Sequence, residues 1–122
     1  SFNMVMQAFK IPKDQQEARR RALQQATLRA AEVPLATLDN SVQALRLAHE
    51  AAENGSKTAL SDVVTSVAAA RAAAEGAASN VRINLETLED KIYVEKTSKR
   101  VSDLQSEAAL LADQITKIVS SR

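Results

Sequence analysis

Cysteine is absent from the 122 residues, and the only histidine is His49. This composition excludes disulfide bonds, thiolate metal ligands and a cysteine nucleophile, and a single histidine cannot build a multi-histidine metal centre. We therefore expect no metal cofactor. His49 lies late in a predicted helix, where interaction with the helix dipole explains it more simply than a role as catalytic base.

Aromatic residues are also scarce: there are two phenylalanines, one tyrosine and no tryptophan. The 16 basic and 15 acidic residues leave a formal net charge of +1. Nucleic-acid-binding proteins normally carry a clustered positive surface and aromatic platforms for bases, so this sequence predicts no nucleic-acid partner. It contains neither a run of about 18 apolar residues nor a signal-peptide pattern, so we expect a cytoplasmic protein without a membrane partner.

Glycine and proline number two each, far below their usual shares of about 7% and 5%. Strong helix formers dominate instead, which predicts an all-α domain over residues 1–122, folded as an up-and-down bundle of long helices. The apolar periodicity predicts helices over 1–9, 15–53, 61–88 and 92–119. Pro34 predicts a kink or a junction between two helices, and Gly55 predicts a left-handed C-cap. Because so few helices bury only part of a core, we expect a missing segment or a second subunit to complete the bundle.

Two asparagines mark the most informative stretch. Asn80 and Asn84 are four residues apart, so they share a helix face with Gly76, which lies one turn earlier. Asparagine is disfavoured inside helices because its amide competes with the backbone. The pair indicates either an interhelical hydrogen-bond network that sets register or a polar groove that offers amides to a flat heterocycle. The spacing leaves both interpretations open.

Four further residues each have a structural and a functional interpretation. Lys10 and Lys13 flank a helix end, where they either complement the dipole or clamp a carboxylate-bearing ligand. Ser61 and Asp62 stand at a helix start, where they either act as N-cap and dipole partner or place a carboxylate beside a site.

Five segments, taken in order, resemble the cyclodeaminase domain of the formiminotransferase-cyclodeaminase family, whose fold is shared by methenyltetrahydrofolate cyclohydrolases. The segments are residues 1–13 (SFNMVMQAFKIPK), 22–27 (ALQQAT), 33–35 (VPL), 54–62 (NGSKTALSD) and 76–85 (GAASNVRINL). The resemblance implies an all-α homodimer or higher oligomer that acts on a tetrahydrofolate substrate. Its reaction would either cyclise 5-formimino-tetrahydrofolate to 5,10-methenyl-tetrahydrofolate with ammonia release, or hydrolyse 5,10-methenyl-tetrahydrofolate.

The resemblance also suggests site residues by position. Asp62 is a candidate for a catalytic or orienting charge, and the substrate-binding candidates are Lys10, Lys13, Ser61, Asn80 and Asn84. The lysines would meet the glutamate tail of the folate, and the asparagines would contact the pterin or a partner helix. The family's catalytic aspartate would precede the position of Ser1, so we expect this chain to be a piece of a longer enzyme.

A second hypothesis is a non-catalytic helical-bundle module that serves as a scaffold. It has two motivations. The family's catalytic aspartate would lie outside this chain, and an apolar seam from Val101 to Ile118, with steps of three and four residues, is typical of coiled coils and helical bundles alike. The sequence leaves open which of the two folate reactions occurs, and whether the domain is fused to a formiminotransferase.

Overall fold

The computed structural model describes residues 2–122, and four α-helices account for most of them. These are α1 (Phe2–Phe9), α2 (Gln16–Asn54), α3 (Leu60–Leu85) and α4 (Lys91–Ser121), with a short 3-10 helix (Lys57–Ala59) before α3. No β-strand occurs in this described part of the chain. The predicted all-α bundle is therefore confirmed. The predicted helices 15–53, 61–88 and 92–119 begin and end within three residues of the observed bounds of α2, α3 and α4.

Helix α3 runs antiparallel to α2. The Gln24 side-chain amide donates to the Thr87 carbonyl at 2.9 Å, and the Asn84 amide nitrogen lies 3.4 Å from the Ala30 carbonyl oxygen. The later residue of α2, Ala30, contacts the earlier of the two partners, Asn84, so the two segments run in opposite directions. The two helices therefore form a hairpin that places the late turns of α3 beside the first half of α2.

Two ion pairs align α4 parallel to α2. Arg100 Nη2 lies 3.0 Å from Asp39 Oδ1, and Arg46 Nη2 lies 2.8 Å from Glu107 Oε1. From the first pair to the second, the position advances by seven residues in both helices, from Asp39 to Arg46 in α2 and from Arg100 to Glu107 in α4. Equal steps of about two turns in the same direction are expected for parallel helices. The hydrogen bond from the Arg46 guanidinium lowers the pKa of the Glu107 carboxyl below its usual value.

The apolar faces of α2, α3 and α4 meet in one core. Its largest fully buried side chains are Leu38, Leu45, Leu104, Ile115, Val42, Val81 and Val101. Helix α3 contributes mainly alanine, with Ala70, Ala74, Ala77 and Ala78 buried. Small side chains of this kind let neighbouring helices approach closely. The seam predicted from Val101 to Ile118 packs into this same core.

Pro34 lies inside α2, which continues without interruption for 39 residues. The alternative with two separate helices meeting near this residue is therefore wrong. Helix α2 stays helical across the missing N–H, and tertiary contacts support it on either side of the proline: Ala30 contacts Asn84 of α3 before it, and Asp39 pairs with Arg100 of α4 after it.

The left-handed C-cap predicted at Gly55 is also wrong, because the residue has φ −74° and ψ 166°, an extended conformation. Its amide donates to the Ala51 carbonyl at 2.8 Å. A Cβ at this position would lie 2.5 Å from the same carbonyl oxygen. Close approach to the helix end, rather than a positive φ, is what favours glycine here.

Ser61 does not cap α3. The helix begins at Leu60 after the 3-10 turn, and its N-cap position, Ala59, makes no side-chain capping bond. The preceding turn starts the helix earlier than the sequence pattern indicated, which moves Ser61 into the first turn. Asp62 lies in that turn as well, where its negative charge complements the helix dipole. Within residues 2–122, no helix is both long and apolar enough to cross a membrane.

Candidate ligand-binding groove

A groove of about 720 Å³ lies between α2 and α3. This volume is within the range of pockets that hold small molecules. The α3 wall is formed by Ala77, Asn80 and Asn84, with Met4 of α1 at one side. The α2 wall is formed by Arg29, Ala30, Glu32, Val33, Pro34 and Thr37.

Pro34 explains why an amide of α3 is directed at α2. In a regular helix the carbonyl of Ala30 would accept from the N–H of residue 34, but proline has none. Asn84 Nδ2 lies 3.4 Å from this carbonyl oxygen and 2.9 Å from the carbonyl oxygen of Asn80 in its own helix. The longer contact is weak by usual geometry. It nevertheless brings a donor to the one carbonyl that the proline leaves without its helical partner.

The Asn80 side chain has a different environment. It is exposed at the groove, and its amide makes no hydrogen bond to any other residue in the described chain 2–122. Its carbonyl oxygen and amide nitrogen can therefore both bind a ligand without breaking an internal bond. One turn later, Asn84 already uses its amide nitrogen, so its free group is the side-chain oxygen.

The rest of the groove combines charge with apolar surface. Arg29 and Glu32 place a guanidinium and a carboxylate on the α2 wall, and both side chains are exposed. Val33 is 71% exposed beside them, whereas Ala77 is buried opposite. A flat molecule with polar edges suits such a surface, because its faces cover apolar groups while its edges meet amides and charges.

Among residues 2–122, no group of three or more histidine, aspartate or glutamate side chains could hold a metal ion. The polar groups in the groove are instead amides, the Thr37 hydroxyl, one guanidinium and one carboxylate. These groups can bind by hydrogen bonding and by charge.

Comparison with known proteins identifies the family. The sequence model described as formiminotransferase-cyclodeaminase matches residues 1–103. The chain belongs to this family. A methenyltetrahydrofolate cyclohydrolase from Methylorubrum extorquens is 34% identical over 125 residues, an alignment that covers 100% of this chain and 60% of that protein. The formimidoyltransferase-cyclodeaminase of Mus musculus is 33% identical over 125 residues, and that of Sus scrofa is 30% identical over 122 residues.

The chain spans only part of these formiminotransferase-cyclodeaminase relatives. The alignment covers 60% of the bacterial cyclohydrolase and 23% of each of the mouse and pig proteins. Of this chain, the alignment covers 100% against the mouse protein and 94% against the pig protein. The comparison therefore concerns less than a quarter of each of these mammalian proteins.

For this family member, the structure brings together two of the residues singled out from the sequence. Asn80 and Asn84 line the same groove. Lys13 lines a separate cleft of about 380 Å³, together with Arg19 and Arg20. Lys10 is exposed in the turn that follows α1. Neither lysine is part of the groove wall, and their contact with a folate tail stays a prediction.

Ser61 and Asp62 occupy the opposite end of α3. The 19 residues between Ser61 and Asn80 correspond to about 28 Å along a helix. Both side chains are exposed. The structure therefore does not bring them to the groove, and a substrate-binding or catalytic role for either stays a prediction.

The sequence interpretation missed Arg29 and Glu32 as groove residues. The available signal was their position within five residues of Pro34, because a proline inside a helix marks a disturbed backbone where side chains from a neighbour are needed. Gly76, which shares a helix face with the two asparagines, does not line the groove. It is exposed, and a Cβ built there meets no other atom within 4 Å in the described chain. Close approach of another helix within this chain therefore does not explain it.

Proposed function

We propose that this chain forms part of a folate one-carbon enzyme. The enzyme cyclises 5-formimino-tetrahydrofolate to 5,10-methenyl-tetrahydrofolate with ammonia release, or hydrolyses 5,10-methenyl-tetrahydrofolate, and works in the cytoplasm. The observation that carries the proposal is the groove between α2 and α3, in which Asn80 and Asn84 face Arg29 and Glu32. The family membership and the names of the relatives support a folate as the molecule that occupies it.

The groove residues can hold a reduced pterin without a metal ion. The Asn80 amide offers a donor and an acceptor to the ring edges, the Asn84 side-chain oxygen offers an acceptor, and the exposed apolar surface of Val33 covers a ring face. Fixing the ring in this way would hold N5 in one orientation and limit the positions that N10, on the adjoining arm, can take. Both reactions require this because each makes or breaks a bond to one of these nitrogens. Positioning of this kind is a large part of catalysis.

The proposal includes assembly into a homodimer or a higher oligomer. Large apolar side chains remain on the surface of the described chain: Phe2 is 76% exposed, Phe9 is 53% exposed and Ile92 is 82% exposed. Burial of such side chains against a second subunit would favour association. Sedimentation velocity would remove this part of the proposal if the protein remained monomeric at micromolar concentration.

The rival scaffold hypothesis loses its main support. That support is the seam from Val101 to Ile118, and the structure packs this seam into the protein's own core. A partner helix could reach those side chains only by displacing α2 or α3. We therefore retain the enzyme as the proposed function.

The test is calorimetric titration with 5-formyl-tetrahydrofolate, followed by an assay of both reactions. Hydrolysis removes the absorbance of the methenyl ring, whereas cyclisation produces it and releases ammonia. We expect saturable binding that Asn80→Leu weakens about fivefold or more, which corresponds to about 1 kcal/mol for one lost hydrogen bond.

Asn40→Leu is the matched control, because Asn40 is exposed on α2 and does not line the groove. It should leave folate affinity unchanged. Absence of folate binding by the well-folded protein would refute the proposed function. Equal loss of affinity in both variants would remove the groove as the folate site.

A further inference from the structure

Glu32 is the one carboxylate among the groove-lining residues of the described chain. It lies on the α2 wall three residues after Arg29, and its side chain is exposed. The opposite wall carries uncharged amides. Any ligand group that requires a negatively charged acceptor can therefore find it in this groove only at Glu32.

Arg29 and Glu32 make no ion pair with each other or with another residue between 2 and 122, although a spacing of three residues permits one. The same spacing does produce a pair earlier in α2, where Arg20 Nη2 lies 2.7 Å from Glu17 Oε1. The two cases differ in order. Acid before base agrees with the helix dipole, whereas base before acid is the weaker arrangement. The groove carboxylate is consequently left available for another partner.

A carboxylate with two free oxygens recognises a pair of parallel N–H donors, as it does with the guanidinium fork of arginine. A reduced pterin carries such a pair, because its ring N3–H and its 2-amino group lie side by side on one edge. We propose that Glu32 is a specificity-determining residue that accepts both hydrogen bonds from this edge. The proposal rests on the folate function proposed above and assigns the orientation of the ring within the groove.

This orientation follows from the positions of the walls. With the amino-bearing edge on Glu32 of α2, the remainder of the ring extends across the groove towards the amides of Asn80 and Asn84 on α3. The site thereby selects pterins over ring systems with an oxygen in place of the amino group, because that oxygen would face a carboxylate and gain no hydrogen bond.

The experiment measures the affinity of two probes for the wild-type protein and for Glu32→Gln. The probes are 5-formyl-tetrahydrofolate and its 2-desamino analogue, in which hydrogen replaces the amino group. Glutamine keeps the shape but replaces one acceptor oxygen with a donor. We expect Glu32→Gln to weaken the first probe about tenfold or more, as for hydrogen bonds to a charged group. For the desamino analogue the effect should be several-fold smaller, because one of the two bonds is already missing.

Glu50→Gln is the matched control, since Glu50 is an exposed carboxylate of the same helix that lies outside the groove. It should change neither affinity. If the wild-type protein binds 5-formyl-tetrahydrofolate and Glu32→Gln binds it equally well, the role of Glu32 is refuted while the folate function stands. Equal losses of affinity for the two probes would also refute it, because Glu32 would then not form a hydrogen bond with the 2-amino group. If the wild-type protein binds neither probe, the proposed function itself fails.

Discussion

Replacing Pro34 with alanine should stabilise the protein. Proline in a helix interior is about 3 kcal/mol less favourable than alanine, because it removes one backbone hydrogen bond and crowds the preceding turn. Pro34 occupies such a position in the middle of α2, and its side chain is half-buried. The substitution also loses about 1 kcal/mol of packed ring surface. A net gain of about 2 kcal/mol in the free energy of unfolding remains.

The structure adds a second, more specific expectation. The Asn84 amide, 3.4 Å from the Ala30 carbonyl oxygen, is the donor available to the group that Pro34 leaves unpaired. In the wild-type background, Asn84→Ala should therefore cost about 0.5–1.5 kcal/mol, with the lower end favoured by the long distance. In the Pro34→Ala background the backbone N–H of residue 34 satisfies the same carbonyl, so the cost of Asn84→Ala should fall.

Urea unfolding followed by far-ultraviolet circular dichroism measures all four members of this double-mutant cycle. Ala44→Pro serves as the control, since Ala44 is an exposed residue of the same helix where proline has no compensating neighbour. It should cost about 3 kcal/mol or more. The reasoning is refuted if Pro34→Ala destabilises the protein, or if Asn84→Ala costs the same in both backgrounds.

Two further predictions concern glycine and one ion pair. Gly76→Ala should stabilise the free protein by about 1 kcal/mol, because the residue lies inside a helix with open space around a Cβ. Gly55→Ala should instead destabilise it by about 1–3 kcal/mol, because its Cβ would clash with the preceding helical turn. Thermal or urea unfolding that changed the stability of both variants in the same direction would contradict this contrast. Arg46 lowers the pKa of Glu107, so wild type should be more stable than Glu107→Gln at pH 7 and should lose this advantage as the pH falls from about 4 through the lowered pKa. A difference that stayed constant from pH 7 to pH 3 would show that the pair does not act through ionisation.

The helices could be predicted from the sequence because their signals are local. Apolar spacing and the near absence of glycine and proline located α2, α3 and α4, and even the seam that begins at Val101 lies where a core-facing stripe should. The errors occur at the ends. Common capping patterns predict a left-handed cap at Gly55 and an N-cap at Ser61, whereas a close backbone contact and a 3-10 turn determine the observed geometry.

The candidate site could be predicted only in part. Asn80 and Asn84 were recognisable because two amides one turn apart are unusual inside a helix. The residues that α2 contributes to the groove could not be predicted. They depend on which turn of α2 faces Asn84, and apolar periodicity carries no information about the register between two helices. Arg29 and Glu32 resemble ordinary surface residues until that register places them opposite the amides.

The alanine face of α3 has a consequence for the groove that it borders. Ala74, Ala77 and Ala78 are buried against neighbouring helices, and Ala77 also lines the groove. Since the interaxial distance of packed helices depends on the side chains between them, these methyl groups set how far apart the two walls stand. Buried side chains of the bundle thus determine the width of the groove. A larger residue at Ala74, one turn from the nearest groove residue, would change ligand selectivity without touching the ligand.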